Sequence, residues 1–324
     1  MGAEKTKYSI MAVAETESCV WFIELAYEEA DGGHAVGSVY VSPAKDQPGQ
    51  VPRQSLATND SLSTIWASSS GSVWVGSADG RIATTAAVQW PPVGSDVIYK
   101  SKDPSVPWTA TALPPVRGTG TPPNVTALWG TDDQHVFAGT YLGHIYFWNG
   151  QQWTQIHQGQ VKGGGTIKAF DGSSSTDVFA VADNGVILHF DGNTWQQQTI
   201  LGDSNGNESF TGIHALPDGH VVISANGRQG RLVHGTRDGL TELTRTPLQL
   251  TALVGLGERI LLATGDGVAE LFGMEVRMVK SNFHTVTAWP GRGRVFFVEP
   301  TQGVPSYIQH DPRSEDRPWI RRKH

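Results

Sequence analysis

From Val125 the chain alternates apolar and polar residues in short runs broken by polar or glycine turns. "VTALW" (Val125–Trp129) is followed by "HVFAG" (His135–Gly139), then "HIYFW" (His144–Trp148), then Asn149-Gly150 and "QQWTQI". A period of two puts alternate side chains on opposite faces of a strand, and Asn-Gly or Asp-Gly between such runs marks an antiparallel hairpin. The pattern therefore predicts four antiparallel strands in about forty residues. The phrase returns almost unchanged. "DDQHVFAGTYLGHIYFWNGQQW" (Asp132–Trp153) is followed by "SSTDVFAVADNGVILHFDGNTW" (Ser174–Trp195).

The first apolar residue of the second run serves as a ruler. It falls at Val73, Val136, Val178, Val221, Ile260 and Val295, with steps of 63, 42, 43, 39 and 35 residues, and Val20 lies 53 residues before Val73. Seven copies of a sheet with two apolar faces bury those faces by packing side by side in a closed ring, which also leaves few free edges. The expected fold is all-β, a seven-bladed β-propeller of four-stranded antiparallel blades. It forms one domain over residues 1–324, with blades near 8–58, 62–113, 125–157, 167–200, 210–245, 250–280 and 284–321. The last blade needs a fourth strand, either Trp319–Arg321 or one donated from near Tyr8; the pattern leaves both open.

Composition agrees with many short strands and narrows the chemistry. There are 38 glycines, 11 tryptophans and only 17% charged residues, with a net charge of -7. An acidic chain whose one basic run (Arg317–His324) is terminal is not built to follow a phosphate backbone, so no nucleic-acid partner is expected. Cys19 is the single cysteine and sits in an apolar run, so no intrachain disulfide is expected. No run approaches the roughly twenty apolar residues of a membrane span. The Ile10–Ala14 stretch is too short for a signal-peptide core. The reading is cytoplasmic, with secretion left open. Asn59, Asn124 and Asn207 begin glycosylation-type triplets that matter only on a secretory route.

"VIYKSKDPSVPW" (Val97–Trp108) resembles an Asp-box hairpin through Ser101, Asp103 and Trp108, with Ser105 and Pro107 departing from that pattern. "DVFAVADNGVILHFDGNTW" resembles bacterial propeller repeats, and "SVWVGSADGRI" (Ser72–Ile82) is similar to repeats of bacterial sensor propellers. The similarity is clear from Leu62 to Trp195 and weaker to about Gln309. It implies the fold. It does not imply a reaction, because an Asp-box aspartate ties its own hairpin together.

The residues that would carry chemistry are dispersed. A sialidase-like site needs converging arginines, yet Arg53, Arg81, Arg117, Arg228 and Arg231 occupy unrelated repeat positions. Paired carboxylates for glycoside hydrolysis would come from Asp132, Asp133, Asp177 or Asp218, which are read instead as turn aspartates capping their own loops. The histidines show no metal-ligand spacing. "GDSNGNES" (Gly202–Ser209) and "QVKGGGT" (Gln160–Thr166) are read as loops, not as calcium or phosphate sites. No catalytic residue, cofactor or metal is expected.

Two candidate regions remain. A large residue recurs six to eight places before the ruler: Trp66, Trp129, Phe170, His214, Val254 and Trp289, with Val13 in the first blade. These form a ring at the channel mouth or in the seams between blades. The second region is a rim made where the repeat swells, with Trp90, Arg117 and the acidic pair Glu28 and Glu29. The expected function is a non-catalytic platform for another protein: a scaffold, a regulator or a toxin-neutralising partner. The alternative is a propeller that binds or hydrolyses a sugar-like ligand at the channel mouth.

Overall fold

The alternating runs form strands because glycine and asparagine supply the turns between them. Asn184 and Gly185 both have positive φ (60° and 71°), as the two-residue turn joining right-twisted strands requires. Residues 6–28, 35–45, 51–159, 165–202, 208–300 and 304–324 are described by the structure, a computed structural model.

Among the described residues the strands assemble into seven antiparallel sheets. The third is representative: Val125–Asp132, His135–Thr140, Ile145–Trp148 and Trp153–His157 follow one another as a meander. The first strand of each sheet packs on the first strand of the next, and that of the seventh sheet on that of the first. The chain is a seven-bladed β-propeller. Every ruler residue, from Val20 to Val295, is buried.

The core is divided among the seams. Seven clusters of buried apolar residues are present among the described residues, one between each pair of neighbouring blades. The seam between blades two and three holds Trp74, Trp90, Trp148 and Trp153, with ring centroids 5.4 to 6.5 Å apart. Each fully buried large side chain is worth about 1.5–3 kcal/mol relative to exposure, so each seam is a core in its own right.

The long second blade does something its sequence did not announce. Part of its insertion, Tyr99–Ser101, leaves that blade and pairs with Arg53–Thr58 as a fifth strand on the outer edge of blade one. The Tyr99 hydroxyl donates to Asp60 (2.7 Å) and the Trp108 Nε1 to Ser55 (3.0 Å). An edge that would otherwise present unpaired backbone groups is thereby covered. In the same hairpin Asp103 accepts the Ser105 backbone N–H at 3.0 Å.

Ring closure is settled in favour of the C-terminal strand. Trp319–Lys323 pairs with Ser306–His310 as the fourth strand of blade seven, and Thr6–Glu15, which includes Tyr8, stays in blade one as its innermost strand. Side chains clasp the last seam. The Arg294 guanidinium binds the Glu15 carboxylate through Nη2 and through Nε (2.8 Å), and it also reaches the Ala44 carbonyl (2.8 Å). The Arg292 backbone N–H donates to Glu15 at 2.7 Å. Both side chains of the pair are buried, 7% and 4% exposed.

The innermost strands share one irregularity. In six blades an extra residue interrupts the pairing with the second strand: Met11, Ser63, Thr126, Lys168, Thr211 and Thr251. A bulge re-aims the side chain it carries. The Ser63 hydroxyl donates to the Val125 carbonyl (2.7 Å), Thr126 to Ile167 (2.7 Å) and Thr251 to Thr285 (3.1 Å), each across a seam.

Candidate functional site

The innermost strands surround a cavity of about 720 Å³ along the ring axis. All seven residues read from sequence as a ring line it. Strand pairing sorts them into two columns. Trp66, Trp129, His214, Val254 and Trp289 each pair with the residue just after the ruler position: Trp74, Phe137, Val222, Leu261 and Phe296. In blade four that column holds Asp171, opposite Phe179, and in blade one Ala14, opposite Trp21.

Phe170 and Val13 stand one residue earlier. A shift of one residue in a strand reverses the face. Phe170 accordingly packs back into the seam between blades three and four, against Phe137, and Val13 into the seam between blades seven and one. The aromatic series predicted from sequence thus gives way to a carboxylate at blade four.

Each column residue leans onto the next blade, and small residues make room. A Cβ on Gly130 would lie 3.1 Å from the Trp66 ring, and one on Gly255 only 2.1 Å from His214 Nε2. Asp171 and His214 are adjacent members. The His214 Nδ1–H donates to Asp171 Oδ2 (3.1 Å), which also accepts the Ala215 backbone N–H (2.9 Å), while Oδ1 accepts the Gly172 N–H (2.9 Å). The carboxylate fixes the imidazole tautomer. Nε2 of His214 meets no hydrogen-bonding partner among the described residues.

The charged residues lining the cavity are Glu15, Lys168, Asp171 and Arg292, two acids and two bases. Glu15 is engaged by Arg294, and Lys168 lies 3.1 Å from Asp183. The lining is neutral overall while His214 is neutral. The Trp289 Nε1 is shielded from the cavity and has no hydrogen-bond partner among the described residues. Among the described residues no group of three or more His, Cys, Asp or Glu is arranged to hold a metal ion, and no helix is long and apolar enough to cross a membrane.

Of the residues read as a rim, Trp90 and Arg117 lie among those whose side chains are described. Trp90 is half-buried in the tryptophan seam, 5.7 Å from Trp74 and 5.4 Å from Trp148. Arg117 is exposed on a loop pinned by its backbone: its N–H donates to Gln155 Oε1 (2.9 Å) and its carbonyl accepts from Gln158 (3.1 Å). Glu29 lies outside the described residues, as do the Glu28 side chain and most of the segments 202–209 and 160–166.

The turn aspartates divide. Asp132 and Asp218 cap their own turns, accepting the N–H groups of Gln134 (2.7 Å) and His220 (3.1 Å). Asp133 instead joins two blades. It accepts Trp74 Nε1 (2.8 Å), Ser72 Oγ (2.8 Å) and the Ser70 hydroxyl, and its own carbonyl accepts Trp148 Nε1 (3.1 Å). Burial alone would raise its carboxyl, but these donors hold it below the ordinary carboxylate range. Two acids in succession before a strand were the available signal, since one turn needs only one cap.

No family model matches the sequence, and no curated relative is similar to it. Among solved structures the chain is similar to the computationally designed Ika8 protein, at 17% identity and a TM-score of 0.53, over 99% of this chain and 88% of that one. At that identity the likeness concerns the fold alone.

Proposed function

We propose that the chain is a non-catalytic recognition propeller that holds its ligand in the channel, at the column of Trp66, Trp129, Asp171, His214 and Trp289. The observation that supports this most is the convergence of three tryptophans and an oriented histidine on one neutral cavity. A volume of about 720 Å³ falls within the roughly 300–1,000 Å³ of small-molecule sites, which pair apolar walls with a few placed polar groups. Recognition is favoured over two-carboxylate hydrolysis because the acids of the lining are already occupied. Asp171 holds three N–H donors and Glu15 holds Arg294. The cytoplasmic setting and the likeness to bacterial propellers go with this reading, which does not depend on them. Ligand-observed NMR against a small-molecule fragment library tests it: hits that vanish in both His214→Phe and Trp129→Leu support the site, and hits unchanged by both refute it.

A second reading, a platform for a partner protein, is favoured by the loop around Arg117. That loop is held by its backbone while its guanidinium stays exposed, so little entropy is lost on docking. Arg117→Ala should then weaken capture of a partner with no change in melting temperature; undiminished capture removes the loop from consideration.

A further inference from the structure

We infer that the channel column is a site for a neutral pyranose, a single sugar ring or the end unit of an oligosaccharide. This rests on the channel being the binding site, as proposed above, and adds the class of occupant. Three features of the lining select it.

The first is shape and surface. The indoles of Trp66, Trp129 and Trp289 line one cavity, and an indole surface is matched by the flat C–H face of a pyranose as well as by another aromatic ring.

The second is an unmet hydrogen-bonding group beside those indoles. His214 Nε2 is held in place through Nδ1 by Asp171 and has no partner of its own among the described residues. A purely apolar occupant would leave that nitrogen unsatisfied, at a cost of about 1–3 kcal/mol. A hydroxyl group donates to it. A molecule with an apolar face and a hydroxyl edge meets both requirements.

The third is charge. Glu15 and Asp171 balance Lys168 and Arg292 around the lining. Glu15 and Lys168 are further matched by Arg294 and Asp183 behind them. A cationic occupant finds Asp171 already holding three donors. A charged occupant of either sign would be desolvated against a lining with no net charge to compensate it.

The test uses the full chain and the methyl glycosides of D-glucose, D-galactose, D-mannose and N-acetyl-D-glucosamine, with D-glucuronate and D-glucosamine as charged counterparts. Saturation-transfer NMR detects contact, and intrinsic tryptophan fluorescence gives the affinity. At least one neutral glycoside should bind saturably with a Kd of about 0.1–1 mM, within reach of a ligand of so few atoms. The charged counterparts should bind at least about tenfold more weakly, a difference of about 1.4 kcal/mol. His214→Phe keeps a flat ring over Gly255 but removes the nitrogens, and Trp129→Leu removes one indole face. Each should weaken binding about tenfold or more while the circular dichroism spectrum is retained, and loss in either folded variant suffices. The inference is overturned if none of the four neutral glycosides binds, if a charged counterpart binds as tightly, or if both variants bind like wild type. A parallel screen of non-sugar fragments separates the two levels. Fragments that bind and are lost in both variants, with no sugar bound, leave the channel site standing and remove the sugar. Silence in both screens removes both.

Discussion

Cutting the clasp between blades one and seven should cost more stability than almost any other polar substitution in the ring. Glu15→Gln leaves the Arg294 guanidinium, 7% exposed, without its anion. Arg294→Met leaves the Glu15 carboxylate buried with the Arg292 N–H as its remaining close donor. Removing one partner of a buried ion pair costs about 3–5 kcal/mol, because a charge is stranded out of water. An unfolding entropy of about 2.1 cal/mol/K per residue over 324 residues gives about 0.7 kcal/mol/K. Each kcal/mol then shifts the midpoint by about 1.5 °C, so either single substitution should lower Tm by about 4–7 °C. The double variant Glu15→Leu, Arg294→Met replaces both charges with apolar bulk and should lie within about 1 kcal/mol of wild type. Differential scanning calorimetry on the four chains completes the cycle. Single substitutions that move Tm by less than about 1 °C, or a double variant as damaged as the two singles together, would refute the claim that this pair holds the seam through charge compensation.

Other expectations follow from the same kind of reading. Ser63→Ala and Thr251→Ala each remove one hydrogen bond between blades and should each cost about 1 kcal/mol in urea titrations, with additive effects because the two sites lie in separate seams that share no residue. Asp133→Ala strands the Trp74 indole N–H and two serine hydroxyls; a loss of about 2–3 kcal/mol and a red-shifted tryptophan emission are expected. Burial holds His144 below its ordinary pKa, and burial followed by the charge of His144 does the same for His157. A depressed folded pKa means that stability is fully present above about pH 6.5 and falls as the pH drops below it. His144 also accepts the Gly159 N–H at Nδ1 (3.0 Å), so protonation there breaks a bond. Chemical denaturation from pH 7.5 to 5 should show this loss, and its absence would place the ring in a wetter setting.

The ring of blades was readable because its signals are local. Turn glycines, Asn-Gly pairs and two-residue alternation each act within a few positions, and seven weak copies reinforce one another. The channel column was readable nearly as far, since an offset of six or seven from the ruler located Trp66, Trp129, His214, Val254 and Trp289. It slipped by one residue into the seams in two blades, to Val13 beside Ala14 and to Phe170 beside Asp171, because the offset varies by one and aromatic character was followed in preference to register. The fifth strand of blade one could not be read, because Tyr99–Ser101 pairs with residues about forty positions away that belong to another blade. Nor could the clasp, whose partners are 279 residues apart. Trp90 looked exposed between glutamine and prolines, yet two other indoles, those of Trp74 and Trp148, pack against it.

The strand at Tyr99–Ser101 also decides where this chain tolerates cutting. Elsewhere each blade is woven from one unbroken stretch, so a nick between blades three and four leaves two pieces that each contain only whole sheets and can dock again face to face. A nick at residues 86–98 does not: it divides the first two blades between the pieces, leaving Tyr99–Ser101 and Thr109–Ala112 on one and their strand partners Arg53–Thr58 and Arg81–Thr84 on the other.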